Sequence, residues 1–145
     1  MAEQGKSILL VDDDLTLREM YAERLKAEGF SVETARDGEE ALKKASDLNP
    51  NIILLDIMMP KLNGLEVLKQ LKDRAETKEI PVIVLTALIQ DREKHESMTH
   101  GADDYVVKSE TMPGDVIAKV KTILERRSKG LDPESQEETP AKAEK

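Results

Sequence analysis

The chain has 145 residues, no internal repeat, 39% hydrophobic residues and only 2% aromatic ones, which suits one domain built on an aliphatic core. A formal net charge of -8 argues against direct contact with nucleic acid, whose phosphate backbone needs clustered Lys and Arg, and the absence of cysteine excludes disulfides, thiolate metal sites and thiol catalysis. The apolar run Ile8 to Val11 is far too short for a signal peptide or a membrane span, so a soluble, cytoplasmic protein with no membrane partner is expected.

Ser7 to Val11 reads as a buried strand that meets solvent at Asp12-Asp13-Asp14. Leu15 to Glu28 turns helical, with Leu17, Met20, Tyr21 and Leu25 near one face, Thr16 and Glu19 spaced as a capping box, and Gly29 closing the helix. Ser31 to Ala35 alternates like a partly exposed strand. Asp37 and Glu40 then offer a second cap, for a helix carrying Ala41, Leu42, Ala45 and Leu48 and ended by Asn49-Pro50.

Ile52 to Leu55 is too short for a buried helix and fits a strand covered on both faces, stopping at Asp56. Pro60 and Asn63-Gly64 punctuate the chain; Asn63 and Glu66 repeat the cap spacing before Val67, Leu68 and Leu71. Pro81 opens a fourth strand, Val82 to Leu85, ending at Thr86-Ala87. Asp91 to His100 is polar almost all round and is the weakest helix, with Gly101 ending it. Tyr105 to Val107 is the fifth strand, ending at Lys108. Pro113 opens a last helix with Val116, Ile117, Val120, Ile123 and Leu124 buried. From Ser128 the residues offer too little apolar surface to offset ordering entropy, so one folded unit over 6–127 and a disordered hydrophilic tail over 128–145 are expected.

Five strand–helix alternations imply an α/β, doubly wound, five-stranded parallel sheet, order 2-1-3-4-5, with helices on both faces. In that order the carboxyl ends of strands one, three, four and five bring Asp12, Asp13, Asp56, Thr86 and Lys108 to one crevice. Three carboxylates against one ammonium leave an excess of negative charge, and all-oxygen ligands favour a hard ion such as Mg²⁺ over zinc. His95 and His100 fall on different helix faces and read as surface residues. A carboxylate beside a divalent ion, an ammonium and a hydroxyl is equipped to attack phosphorus and form an aspartyl phosphate, with Thr86 bonding the phosphoryl oxygen afterwards.

Leu-Val-Asp-Asp-Asp, Leu-Leu-Asp-Ile-Met-Met-Pro-Lys-Leu-Asn-Gly, Val-Leu-Thr-Ala and Asp-Asp-Tyr-Val-Val-Lys occur in that order. From about Lys6 to Arg127 the chain resembles the receiver domain of two-component response regulators, which carries a flavodoxin-like fold. By that resemblance Asp56 is the phosphoacceptor and Asp12, Asp13 and the Met58 carbonyl join it in holding Mg²⁺. Lys108 then pairs with the phosphoryl group, and Thr86 and Tyr105 form the switch. Small Ala87 would leave the donor room to approach. Asp14 is expected as a loop or cap residue.

Ser109 stands where the family more often has proline, and a cis bond before a non-proline residue costs about 2.5–4 kcal/mol. The resemblance implies a histidine kinase or phosphotransfer protein as donor, docking around Leu15 and Arg18. It also implies a downstream protein target or an effector domain, and a phosphorylation-dependent dimer through the last helices. Met58 and Leu88, both apolar, would flank the phosphoryl group without orienting an attacking water, which predicts slow self-dephosphorylation. The competing class is a Mg²⁺-dependent phosphohydrolase with an aspartyl-phosphate intermediate. Such enzymes commonly need a second acid where this chain has Met58.

Overall fold

A computed structural model of the protein describes residues 6–57, 64–86, 97–108 and 112–128. The described elements are β1 (Ser7–Val11), α1 (Leu15–Ala27), β2 (Ser31–Ala35), α2 (Gly38–Leu48), β3 (Ile52–Leu55), α3 (Gly64–Asp73), β4 (Val82–Thr86), β5 (Asp104–Val107) and α4 (Pro113–Ser128). The strands form one parallel sheet in the order β2-β1-β3-β4-β5, as the alternation predicts.

Successive strand residues point to opposite faces, and each face feeds its own core. Leu9, Val11, Ile53, Leu55, Val82 and Val84 pack with Ala41, Leu42 and Ala45 of α2 and Val67, Leu68 and Leu71 of α3. On the other face Ile8, Leu10, Ile52, Leu54, Ile83 and Leu85 meet Tyr21 and Leu25 of α1 and Val116, Val120 and Leu124 of α4. Fully burying each such aliphatic side chain contributes about 1.5–3 kcal/mol relative to exposure, enough for a core almost without aromatics.

Local sequence sets most helix ends. Asp37 accepts from Glu40 N–H at 2.9 Å, and the Glu40 carboxylate returns to Arg36 N–H at 2.9 Å. That second bond comes first among the causes that hold the Glu40 carboxyl below its usual value. Gly29, at φ 100, closes α1 while its N–H donates to Lys26 O.

Three expectations need correction. Thr16 and Glu19 do not cap α1: the helix begins two residues earlier than such a box requires, because the Asp14 carboxylate accepts from Leu17 N–H at 3.0 Å. Leu48 is not buried with the rest of its stripe. It is the last residue of α2, 49% exposed, where the chain leaves through Asn49 in a left-handed conformation. Ile123 is only partly buried. Asn63, most of the stretch 91–100 and the hydrophilic stretch from 129 onward lie outside the described residues. No helix of the described residues is long and apolar enough to cross a membrane.

Candidate functional site

Parallel register builds the site. Val11 aligns with Leu55, so Asp12 and Asp56 leave neighbouring strands at the same level, both buried. Leu55 aligns with Val84 and Thr86 with Val107, so Thr86 and Lys108 finish the same sheet edge. This is the carboxyl edge on which open α/β sheets bind ligands.

One carboxylate oxygen from each of Asp12, Asp13 and Asp56 lies within 4.8 Å of the other two, with Asp13 exposed and the other two residues buried. Lys108 Nζ donates to Asp12 Oδ2 at 2.6 Å and to Asp56 Oδ2 at 3.4 Å. Burial pulls the Lys108 ammonium down, but its hydrogen bond to Asp12 and the charges of Asp56 and Asp12 outweigh this, and its pKa stands above the usual lysine value. Three carboxylates against one ammonium leave two negative charges in excess. An all-oxygen donor set with that charge fits a hard divalent cation such as Mg²⁺.

Asp12 is held at every polar atom. Its N–H donates to Ala35 O at 3.0 Å, its Oδ1 accepts from Asp14 N–H at 2.9 Å, its Oδ2 takes Lys108, and its carbonyl accepts from Arg18 Nη1 at 2.7 Å. Asp56 N–H donates to Val11 O at 3.0 Å, tying the two acids' strands together at the site.

A scan against known families matches the response regulator receiver domain over residues 8–121. The chain belongs to the response regulator receiver family. The receiver is 44% identical over 132 residues to the alkaline phosphatase synthesis transcriptional regulatory protein PhoP of Bacillus subtilis (strain 168), covering 91% of this chain and 53% of that protein. It is 43% identical over 119 residues to the transcriptional regulatory protein CpxR homolog of Haemophilus influenzae, covering 82% of this chain and 50% of that protein. The chain thus spans about half the length of these curated relatives.

Among solved structures it is similar to the CheY-like receiver domain protein of Methanospirillum hungatei JF-1. The TM-score is 0.81 at 30% identity, covering 86% of this chain and 98% of that one. The BeF3-activated receiver domain of Klebsiella pneumoniae RstA gives a TM-score of 0.76 at 28% identity, covering 82% and 98%.

Of the residues singled out from the sequence, Asp12, Asp13, Asp56 and Lys108 meet directly. Thr86 is fully buried, and the register sets it on the same sheet face as Tyr105, one diagonal away across β4 and β5. Asp14 caps α1. Met58, Ala87, Leu88, His95 and Ser109 lie outside the described residues; His100 is exposed.

Two neighbours of the site were not singled out from the sequence for it. Arg18, which the resemblance places near the kinase contact, is half-buried and bonded to the Asp12 carbonyl. Tyr21 reads as core but is electrostatically part of the site. Burial pushes its phenol up, with Lys108 acting against that shift and Asp12 adding to it. No charge or spacing pattern signals the Arg18 contact, whereas the helical stripe already holds Tyr21.

Proposed function

We propose that this receiver accepts a phosphoryl group on Asp56 from a phosphohistidine of a histidine kinase or phosphotransfer protein. The observation that carries this reading is the Lys108 ammonium bridging Asp12 and Asp56 inside a three-carboxylate cluster. Asp12, Asp13, Asp56 and the Met58 carbonyl would hold Mg²⁺. When bound, that ion neutralises the transferring oxygens and the excess carboxylate charge.

A carboxylate oxygen of Asp56 attacks phosphorus. The new O–P bond forms as the P–N bond to the donor histidine breaks, and the electron pair returns to the imidazole nitrogen. Lys108 pairs with the phosphoryl oxygens as charge collects on them. Thr86 donates its hydroxyl to the phosphoryl oxygen once it is present, and Tyr105, on the same face of the adjacent strand, repacks with it.

The receiver turns over no external substrate and acts in the cytoplasm. A changed surface on its last two strand–helix units, including a phosphorylation-dependent dimer through the last helices, passes the signal to a downstream protein target or an effector domain. Neither the family match nor the relatives favour the phosphohydrolase alternative.

Incubation with a phosphorylated histidine kinase and Mg²⁺ is expected to move one phosphoryl group to the chain, with no turnover of phosphomonoesters. Steady release of inorganic phosphate from phosphomonoesters would favour the hydrolase instead.

A further inference from the structure

Arg18 sits on the first fully hydrogen-bonded turn of α1, its own N–H donating to Asp14 O at 2.9 Å. The Asp14 carboxylate caps that turn, so the base carrying the arginine is fixed. Its guanidinium bonds no carboxylate among the described residues; Nη1 donates to the backbone oxygen of Asp12 at 2.7 Å. Such a charge-assisted bond is stronger than a neutral one.

That carbonyl shares a rigid peptide plane with Asp13 N–H. Among the described residues none hydrogen-bonds the exposed Asp13 carboxylate, so the direction of its backbone bears on how it meets Asp12 and Asp56.

We propose that Arg18 is a positioning residue for the metal-binding acids: it locks the Asp12–Asp13 peptide and thereby sets the direction from which Asp13 reaches the cluster. This role rests on the Mg²⁺-dependent reading above. It gives Arg18 an inward task.

Charge and positioning predict opposite signs. A guanidinium beside three carboxylates opposes a divalent cation by Coulomb repulsion, so removing its charge alone should tighten Mg²⁺ binding. Removing a group that holds a ligand in place should weaken it, on the order of tenfold for outer partners of metal ligands.

The test is calorimetric titration of MgCl2 into wild type, Arg18→Met and Arg18→Lys, with acetyl phosphate labelling at saturating Mg²⁺ as a second readout. Arg18→Met keeps the apolar stem that supports the helix and is expected to bind Mg²⁺ about tenfold more weakly. Arg18→Lys, which keeps a charged donor, recovers part of that loss. In both variants the labelling defect is expected to shrink as Mg²⁺ approaches saturation, so the defect lies in the Mg²⁺ concentration needed.

Binding by Arg18→Met as tight as or tighter than wild type overturns the role, as does an Arg18→Lys no better than Arg18→Met. A wild-type chain that takes up neither Mg²⁺ nor a phosphoryl group overturns the proposed function and this role with it.

Discussion

A Cβ added to Gly64 would lie 2.4 Å from the Asp56 carbonyl oxygen, and 2.3 Å from Ile57 Cα. The start of α3 therefore touches the backbone that carries the proposed phosphoacceptor, and Gly64 N–H donates to Ile57 O at 3.2 Å across that contact. Both close atoms are backbone, so no side chain can swing away to relieve the clash. Gly64→Ala is expected to destabilise the fold by about 1–3 kcal/mol, read as a lower urea midpoint, and to slow acetyl phosphate labelling because Asp56 shifts.

Asp14 belongs to the triple-acid stretch yet spends its carboxylate on Leu17 N–H. Asp14→Ala should cost about 0.5–2 kcal/mol of stability, the usual loss of an N-cap. Its Mg²⁺ affinity should stay near wild type, since the bond to Asp12 Oδ1 comes from the Asp14 backbone. Urea denaturation and Mg²⁺ calorimetry on one preparation separate the two effects.

Lys108 is the cation that the buried acids share. Lys108→Met leaves Asp12 and Asp56 without it, and breaking a buried pair in this way costs about 3–5 kcal/mol. Added Mg²⁺ should stabilise this variant more than wild type, because the ion then supplies the missing positive charge. Chelation with EDTA should abolish the difference. Urea midpoints with and without Mg²⁺ are the measurement.

Tyr21 links the site to stability at high pH. Its folded pKa is raised above the ordinary value of about 10, chiefly by burial. The folded chain then holds a proton that the unfolded chain gives up, so stability is fully present below the unfolded value and falls as pH rises through the interval between the two. The chain has only two tyrosines, Tyr21 and Tyr105. In a Tyr105→Phe background, ultraviolet titration should show the remaining phenol ionising late. Tyr21→Phe should flatten the alkaline loss of stability.

Much of this was legible because the chain separates its signals cleanly. Uninterrupted aliphatic runs such as Ile52 to Leu55 could only be strands covered on both faces, and each ends on a polar residue. The alternation with helices implied a parallel sheet, and of the two common doubly wound orders the one that suits five strands brought Asp12, Asp56 and Lys108 together.

The details that escaped are ones that sequence spacing does not encode. Thr16 with Glu19 and Asp14 with Leu17 are both acceptable ways to begin a helix, and the earlier carboxylate won. Leu48 fits the periodicity of its helix but stands on its last turn. Arg18 bonds a carbonyl, a group present at every residue, so nothing in the residue types could name its partner.

The most direct test of the central claim is to locate the label. The chain is incubated with acetyl phosphate and Mg²⁺, the acyl phosphate is reduced with borohydride to homoserine, and the converted residue is found by peptide mass mapping. The account predicts conversion at Asp56 alone, lost with EDTA and in Asp56→Asn. Conversion at Asp12 or Asp13 instead, or a chain that stays unmodified, would contradict it.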